Sequence, residues 1–351
     1  MAITIHHGDL LKESDVDAIV NTVNCVGVMG KGIALQFKNK WPANFRAYQA
    51  ACKSGRVRPG KLFVHDCGGL VQPRYIINFP TKDHWRGGSK LDYIRDGLVA
   101  LVAEVPRLGI RSIALPPLGC GNGGLSWSDV RPLIEHILGP LSSVDVRLFE
   151  PMGPPPPKTM EVRTERPRMT ESRAAILKVL ETYGELGYGL SRIEVQKLAY
   201  FLQVAGEPLN LQFDKHIFGP YSDRLRHALN RLEGHFIRGV GDGDGDAEIE
   251  PVAEALAEAE QFLQARPESQ VAKRVERVAR LIAGFQSSYG MELLASVHWV
   301  ATHERVRSAA EATTAVHAWN ARKRALMTAR HVTAAWDQLS IEGWLPQDDG
   351  R

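Results

Sequence analysis

The first 150 residues alternate short apolar runs with longer segments whose apolar residues recur at helical spacing. The apolar runs predict strands at Ile3–Ile5, Ala18–Val20, Lys61–His65, Tyr75–Phe79, Ser112–Leu115 and Asp145–Phe149. The segments between them predict helices at Lys31–Lys40, Ala43–Ser54, Leu91–Val105 and Asp129–Leu138. This alternation indicates a layered α/β domain with a largely parallel sheet, in which ligands bind beyond the carboxyl ends of the strands.

Residues 171–351 show helical spacing almost throughout and predict a mostly helical domain. The predicted helices are Ala174–Tyr183, Arg192–Val204, Tyr221–Leu232, Pro251–Ala265, Glu268–Tyr289, Glu292–His303, His317–Lys323 and Thr328–Leu339. The alternating Gly and Asp of Gly241–Asp246 predict a loop. Residues 151–170 contain four consecutive prolines, Pro154 to Pro157, and predict an exposed, semi-rigid linker between the two domains.

Composition excludes several classes of protein. A hydrophobic fraction of 44% over 351 residues is ordinary for a globular chain. No apolar run approaches the ~18 residues that span a bilayer, and the first residues lack the basic and apolar regions of a signal peptide. The four cysteines, which are Cys25, Cys52, Cys67 and Cys120, form no CxxC pair. We therefore expect a cytoplasmic protein with reduced thiols, no metal site and no membrane partner.

The net charge of +3 conceals two unlike halves. Residues 1–150 carry 18 basic and 13 acidic residues, which gives +5, whereas residues 171–351 carry 21 and 25, which gives −4. This division suggests two modules with different partners.

Three glycine clusters lie in the first domain: Gly8-Asp9-Leu10, the first glycine loop Gly27–Gly32, and the second glycine loop Gly119–Gly124. Glycines let backbone N–H groups approach a ligand, and helix N-termini favour anions. Two such loops would hold a diphosphate, although tight βα turns explain the same spacing. The chain has no GxxxxGK[ST], and neither loop matches GxGxxG followed by an acid, which argues against both standard nucleotide sites.

Together with Gly8-Asp9-Leu10 and the glycine loops, the runs Ala18–Asn24 and Pro116–Gly121 resemble those of macrodomains. The resemblance covers residues 1–150 and implies a three-layer α/β/α fold that binds ADP-ribose without a cofactor. It implies that Asp9 accepts a hydrogen bond from the adenine amino group, that Asn24 contacts the distal ribose, and that the two glycine loops wrap the diphosphate. The implied ligand-binding residues are Asp9, Leu10, Asn21, Thr22, Asn24, Val28, Met29, Gly30, Lys31, Gly32, Thr81, Leu118, Gly119, Cys120, Gly121, Asn122 and Gly123.

Within macrodomains, the run Asn78–Trp85 resembles the DarG branch, which removes ADP-ribose from DNA. Members of that branch place a lysine directly after a threonine, as Lys82 follows Thr81 here. The protein-directed relatives carry an aspartate in the second glycine loop, where this chain has Gly123. This departure makes an aspartate mechanism doubtful and favours ADP-ribosylated single-stranded DNA as the substrate.

The resemblance makes Lys82 the candidate catalytic residue, and two roles are open. Its neutral amine would attack the anomeric carbon of the distal ribose or capture the opened aldehyde as an imine, which requires a lowered pKa. Alternatively, the protonated amine would stabilise charge on the leaving group.

Other residues near the candidate site have competing interpretations. His84, Trp85 and Arg86 are candidates for contact with a DNA base and phosphate, and the alternative for Trp85 is that it anchors the loop. Asn21 is expected chiefly to support its loop. Cys120 has no base partner in the sequence and is interpreted as a small loop residue.

The second domain offers two interpretations. Two predicted helices flank Gly187 and Gly189 and resemble a helix-turn-helix. However, eight acidic residues between Asp242 and Glu260 would repel DNA, and they suggest an acidic surface for a basic partner.

The runs Leu198–Gln203 and Phe218–Ser222 resemble the SocA-like "Panacea" antitoxin domain. This resemblance implies a module that neutralises a DarT-type ADP-ribosyltransferase, although Gly219-Pro220 also marks a turn before a helix. We therefore expect a two-domain antitoxin whose macrodomain hydrolyses the bond between ADP-ribose and a DNA base, with thymidine as the expected base. The rival hypotheses are an ADP-ribose 1″-phosphate phosphatase and a non-catalytic ADP-ribose reader fused to a DNA-binding regulator.

Overall fold

The computed structural model of the chain describes residues 3–68, 72–153, 159–184, 190–240 and 248–346. These residues form two compact units, Met1–Glu165 and Arg166–Arg351, which we describe separately. The predicted features at Pro154–Pro157, Gly187, Gly189 and Gly241–Asp246 lie outside the described residues. Within the described part of the chain, no helix has the length and apolar character that crossing a membrane requires.

The first unit is built on one six-stranded sheet. Its strands are β1 (Ile3–His6), β2 (Ala18–Val23), β3 (Phe63–Asp66), β4 (Tyr75–Pro80), β5 (Ser112–Leu115) and β6 (Asp145–Phe149), in the order β1-β6-β5-β2-β4-β3. All neighbours are parallel except β3, which is antiparallel to β4. The carboxyl ends of β1, β2, β4 and β5 therefore meet at one edge of the sheet.

Helices cover both faces of the sheet. They are α1 (Gly32–Lys40), α2 (Pro42–Lys53), α3 (Leu91–Leu108) and α4 (Trp127–Leu138). Ile77 of β4 packs in the cluster that contains α3 and α4, whereas the adjacent Ile76 packs with Phe37 of α1 on the opposite face. Because successive strand residues point to opposite faces, the sheet is buried on both sides, and the predicted three-layer α/β/α fold is confirmed.

The second unit is mostly helical, as predicted. Its elements are α5 (Glu171–Gly184), α6 (Arg192–Val204), β7 (Asp214–His216), β8 (Gly219–Tyr221), α7 (Asp223–Leu232), β9 (Ile237–Arg238), β10 (Glu250–Pro251), α8 (Ala253–Gln264), α9 (Val271–Ile282), α10 (Ser288–His303), α11 (Ala309–Trp319), α12 (Ala321–Leu326) and α13 (Ala329–Ile341). One hydrophobic cluster contains residues from each of these helices except α12, and it forms the core of this unit. Met327, the residue directly after α12, also belongs to this cluster.

Two predicted helices are wrong in their extent. The segment Glu268–Tyr289 does not form one helix, because α9 ends at Ile282, Gly284 adopts a positive φ of +81°, and the Ser287 hydroxyl caps the start of α10. The segment His317–Lys323 is interrupted at Asn320, whose backbone is extended and whose side chain caps α12. In both cases the apolar pattern continues across the break, but a polar side chain caps the start of a new helix there.

The pair Gly219-Pro220 lies in a hairpin instead of simply preceding a helix. Strands β7 and β8 pair antiparallel, with His216 opposite Gly219. The hydroxyl of Ser222 then caps α7, so the helix begins at Asp223, two residues later than predicted.

The helix-turn-helix interpretation is not supported by burial. Helix α6 would be the recognition helix, yet every residue from Glu194 to Leu202 is buried. A recognition helix must expose one face to a DNA groove. Helix α6 is therefore a core helix, and this removes the main argument for a DNA-binding regulator.

The predicted exposed linker is wrong for its described central part. Met160 is buried, Glu161 forms an ion pair with Lys40 at 3.0 Å, and the Arg163 N–H donates to the Asn39 carbonyl. Residues 160–163 are therefore held against the first unit.

Candidate active site

The candidate site lies at the carboxyl edge of the first sheet. The turn after β1 carries Asp9, the loop after β2 carries Asn24 and the first glycine loop, the loop after β4 carries Lys82, and the loop after β5 is the second glycine loop. Because these strands run parallel, four distant segments of sequence converge here, which is where α/β sheets bind ligands.

The first glycine loop is organised by Asn24. The Asn24 Oδ1 accepts hydrogen bonds from the N–H groups of Val26 and Val28, and its Nδ2 donates to the Val28 carbonyl at 2.6 Å. Buried Tyr48 of α2 donates to the Asn24 main-chain carbonyl at 2.6 Å and approaches Oδ1 at 3.2 Å. Tyr48 therefore fixes the side chain that folds the loop, and the contact of Asn24 with ribose stays a prediction.

Asn21 lies below this loop in the interior of the sheet. It is completely buried, and its Nδ2 donates to the Asn78 Oδ1 at 3.0 Å. Asn78 Nδ2 in turn donates to the Asn44 Oδ1 of α2 at 2.7 Å. This chain of amides ties β2 and β4 to α2, as expected for a supporting role of Asn21.

The second glycine loop requires glycine for steric reasons. A Cβ at Gly123 would lie 2.1 Å from the Gly119 carbonyl oxygen and 2.3 Å from the Ser89 hydroxyl. The Ser89 N–H also donates to the Gly123 carbonyl at 2.9 Å. The aspartate of the protein-directed relatives therefore has no room at this position in this loop conformation.

The two glycine loops approach each other at Gly32. A Cβ there would lie 2.9 Å from Asn122 Nδ2, and Gly32 adopts a positive φ of +56°. The first loop leads directly into α1, which places backbone N–H groups and the positive end of a helix dipole beside the second loop. This arrangement can accept an anion such as a diphosphate.

Lys82 joins the end of β4 to the second glycine loop. Its Nζ donates a hydrogen bond to the Asn122 carbonyl, and its own carbonyl accepts from the Cys25 thiol at 3.3 Å. Partial burial lowers the pKa of Lys82 below its ordinary value of 10.5, because desolvation disfavours the charged amine. The amine thus contacts the second glycine loop, and its neutral fraction is larger than that of an exposed lysine.

The three residues after Asp83 form an exposed aromatic and basic group. Trp85 is 49% exposed, its ring centroid lies 5.4 Å from that of His84, and the Arg86 guanidinium lies 4.7 Å from the indole centroid. The alternative that Trp85 is a buried loop anchor is therefore wrong. These side chains can contact a polyanionic substrate next to Lys82.

The predicted ligand-binding residues divide by burial. Leu10, Asn21, Met29, Thr81, Leu118 and Gly119 are buried; Asp9, Thr22, Gly32, Cys120 and Gly123 are partly buried; and Val28, Gly30, Lys31, Gly121 and Asn122 are exposed. Asn24 is 8% exposed, and Asp9 caps a 3₁₀ turn by accepting from the Leu11 N–H. Direct contact of each with ligand stays a prediction.

Cys120 is unsuited to nucleophilic attack. Desolvation and then the charge of Asp129 raise the pKa of its thiol to about 11. A thiol acts as a nucleophile in its deprotonated form, and the raised pKa keeps the Cys120 thiol protonated at neutral pH.

Sequence reasoning missed two supports of this site, Tyr48 and Ser89. Asn44, Tyr48 and Ala51 lie at helical spacing on the buried face of α2, which marks Tyr48 as a core residue. No pattern in the sequence indicates that its hydroxyl reaches Asn24, because that contact joins segments 24 residues apart.

The chain is similar to proteins of a known family. A Macro domain family model matches residues 20–134. The chain is 48% identical to the DNA ADP-ribosyl glycohydrolase of Thermus aquaticus over 97% of its own length and 94% of that protein. A solved macrodomain of Thermus aquaticus DarG is 54% identical, covers 42% of this chain and 98% of its own, and has a TM-score of 0.41.

A third relative joins two proteins in one chain. A DNA ADP-ribosyl transferase-DNA ADP-ribosyl glycohydrolase fusion protein of Thermosipho africanus is 33% identical over 43% of this chain and 42% of its own length. The similarity to the Thermus aquaticus enzyme extends along nearly all of both chains. The chain therefore belongs to the family of DNA ADP-ribosyl glycohydrolases, the DarG family.

Proposed function

We propose that the first unit hydrolyses the bond between ADP-ribose and a base of single-stranded DNA, with thymidine as the base. The observation that carries this proposal is the partly desolvated amine of Lys82, which donates to the second glycine loop at the site where two loops suited to a diphosphate approach each other. The names of the full-length relatives support the substrate class. The exposed group His84, Trp85 and Arg86 supports a substrate with stacked bases and phosphates.

In this mechanism the neutral amine of Lys82 is the nucleophile. Its lone pair forms a bond to the anomeric carbon of the distal ribose, and the bond from that carbon to the base nitrogen breaks. The base leaves with the bonding electron pair and takes up the proton that the new ammonium releases. Water then hydrolyses the lysine adduct and restores the amine.

Two variants separate the roles of Lys82. Lys82→Ala is expected to retain ADP-ribose binding and to lose at least about a hundredfold in turnover of an ADP-ribosylated thymidine oligonucleotide. Lys82→Arg keeps the positive charge and removes the nucleophile, so it is expected to be equally inactive. Lys53→Ala, an exposed lysine of α2, is the matched control. Recovery of activity by Lys82→Arg would instead assign charge stabilisation to Lys82.

The pH dependence provides a second measurement. Because burial lowers the Lys82 pKa, the neutral fraction, and with it the rate, is expected to rise with pH from neutrality towards the lowered value. An oligonucleotide rate that falls with pH over this interval would contradict a neutral amine as the nucleophile.

A parallel assay with ADP-ribose 1″-phosphate distinguishes glycohydrolase from phosphatase activity. Faster turnover of this phosphate than of the oligonucleotide would contradict the proposed glycohydrolase activity.

We further propose that the second unit binds and blocks a DarT-type transferase. The fusion of a transferase with a glycohydrolase in Thermosipho africanus supports this pairing. Cells that express the transferase together with the Lys82→Ala variant of this chain test blocking without hydrolysis. The transferase is expected to lose its toxicity in these cells. Persistent toxicity would contradict it.

A further inference from the structure

A carboxylate directly follows the candidate catalytic lysine in the sequence. Asp83 is exposed, and Lys82 is partly buried. A carboxylate within about 4–6 Å of an amine favours the charged ammonium and raises its pKa. Because the proposed nucleophile is the neutral amine, the direction in which the Asp83 side chain lies bears on the reaction.

The side chains of Lys82 and Asp83 bind to different elements of the first unit. The Lys82 amine donates to the Asn122 carbonyl of the second glycine loop. The Asp83 Oδ2 accepts a hydrogen bond from the Tyr93 hydroxyl at 2.5 Å, and Tyr93 lies in the first turn of α3. The amine therefore meets a neutral carbonyl, whereas the carboxylate is directed to the start of a helix.

The main chain of Asp83 is fixed by the first glycine loop. The Cys25 N–H donates to the Asp83 carbonyl at 3.1 Å. At the other end of the same segment, the Ser89 N–H donates to the Gly123 carbonyl of the second loop at 2.9 Å. The segment between β4 and α3 is thus held by both glycine loops, and the Asp83 carboxylate moves chiefly by rotation of its own side chain.

The start of α3 is a favourable place for the Asp83 carboxylate. Helix N-termini attract negative charge. Lys90 directly precedes α3, and its ammonium lies 5.0 Å from the centroid of the Tyr93 ring. Hydrogen bonding to Tyr93, followed by smaller effects that include the charge of Asp83, raises the pKa of Lys90. The charged Lys90 therefore compensates part of the negative charge of Asp83.

Other titratable groups surround the reactive amine. Burial and then the charge of Asp83 raise the pKa of the Cys25 thiol to about 12, so this thiol is neutral. Asp92 of α3 is paired with Arg95 at 2.6 Å. Titratable groups on the adjoining loops and helices also include Lys31, Tyr48, His84, Arg86, Lys90, Cys120 and Asp129. Loss of the Tyr93 hydroxyl would therefore free Asp83, and not these groups, beside the amine.

We propose that Tyr93 is a positioning residue for the glycohydrolase reaction: its hydroxyl holds the Asp83 carboxylate at the start of α3 and so keeps it from pairing with the Lys82 amine. This inference rests on the proposed role of that amine as the nucleophile. Tyr93 acts on the reaction through Asp83, because an amine that is paired with a carboxylate carries a proton and has no lone pair to offer the anomeric carbon.

The turnover number kcat for an ADP-ribosylated thymidine oligonucleotide, measured across pH with the whole chain, tests this role. Tyr93→Phe keeps the ring beside Lys90 and removes the hydroxyl. Its curve of kcat against pH is expected to be displaced by about one unit towards higher pH, because the released Asp83 raises the Lys82 pKa. Near neutrality kcat then falls about tenfold, and the two curves converge as pH rises.

A second substitution separates positioning from a structural role. Asp83→Asn removes the negative charge, so its combination with Tyr93→Phe is expected to return the curve to its original position. The matched control is Tyr289→Phe, which removes a hydroxyl that donates to the Leu326 carbonyl at 3.0 Å in the second unit and is expected to leave the curve unchanged. Calorimetry with ADP-ribose is expected to give Tyr93→Phe a Kd within about twofold of the unchanged chain.

The outcomes separate this inference from the proposed function. If kcat of the unchanged chain does not rise with pH from neutrality, the neutral amine fails as the nucleophile, and the role of Tyr93 fails with it. If the unchanged chain shows the rise and Tyr93→Phe has the same curve, the role of Tyr93 alone is overturned. A loss of kcat that is equal at all pH values and persists with Asp83→Asn would also overturn it, since Tyr93 would then support the fold.

Discussion

At the scale of single residues, the candidate site depends on side chains that hold its two glycine loops in place. Tyr48 fixes Asn24, and Asn24 fixes the first glycine loop. Ser89 occupies the space beside Gly123 and thereby fixes the second loop. Lys82 is thus held by loops whose conformations are set elsewhere in the unit, which is how a reactive amine is kept in one geometry.

Gly123→Ala tests this steric requirement. The new Cβ would lie 2.1 Å from a carbonyl oxygen, so the loop must shift, and overpacking of this kind costs about 1–3 kcal/mol. We expect a lower thermal midpoint for the first unit and weaker ADP-ribose binding by calorimetry. Gly153→Ala is the control, because Gly153 lies outside both glycine loops and no atom lies within 4 Å of its Cβ position. Equal behaviour of the two variants would show that the second loop does not require glycine at Gly123.

At the scale of elements, helix caps in the second unit set boundaries between helices that the apolar pattern does not predict. The Asn320 Oδ1 accepts from the Lys323 N–H at 2.8 Å and starts α12, while its Nδ2 holds the hairpin at Ile217. Ser308 has only the first of these roles, since its hydroxyl accepts from the Glu311 N–H at the start of α11. A break between helices therefore also positions a neighbouring hairpin.

Asn320→Ala is expected to destabilise the second unit by about 2 kcal/mol, because it removes a cap worth about 1 kcal/mol and a hydrogen bond of similar value. Ser308→Ala, which removes a cap alone, is expected to cost about 1 kcal/mol. Urea unfolding of the whole chain, followed by tryptophan fluorescence, measures both. If Asn320→Ala lowers the free energy of unfolding no more than Ser308→Ala does, the contact with the hairpin contributes nothing to stability.

At the scale of the whole molecule, the two units differ in what they bury. The first buries uncharged amides, as in Asn21, Asn44 and Asn78. The second buries ionisable groups, among them Lys197, Glu292 and Lys323, with Lys323 donating to Glu292 at 2.6 Å. Buried ionisable groups make stability depend on pH, so the units are expected to respond differently to acid.

One buried group that makes the stability of the second unit depend on pH is His298. Desolvation in the core lowers the His298 pKa from 6.5 to about 4, so between these values the unfolded chain binds a proton that the folded chain does not. Stability of the second unit is therefore expected to fall as pH decreases from 6.5 to about 4. Thermal midpoints measured across this range should decline less in His298→Asn. The exposed His227→Asn is the control, and an identical decline in both variants would contradict the role of His298.

The sequence by itself determined the order of strands and helices in the first unit, because strand and helix periodicity is local. It also determined the candidate lysine, because Lys82 follows Thr81 in a run shared with the DarG branch. The carboxyl-edge position of the glycine loops followed from the same pattern, since each loop directly follows a parallel strand. These features depend on neighbours in sequence.

The tertiary structure alone decided what depends on distant neighbours. Only packing shows that α6 is enclosed, that Tyr48 reaches Asn24, and that Ser89 leaves no room for a side chain at Gly123. Only packing places the Lys197 ammonium on the Pro220 carbonyl of the hairpin. Burial and hydrogen bonds between remote segments are properties of the folded chain, and no local pattern encodes them.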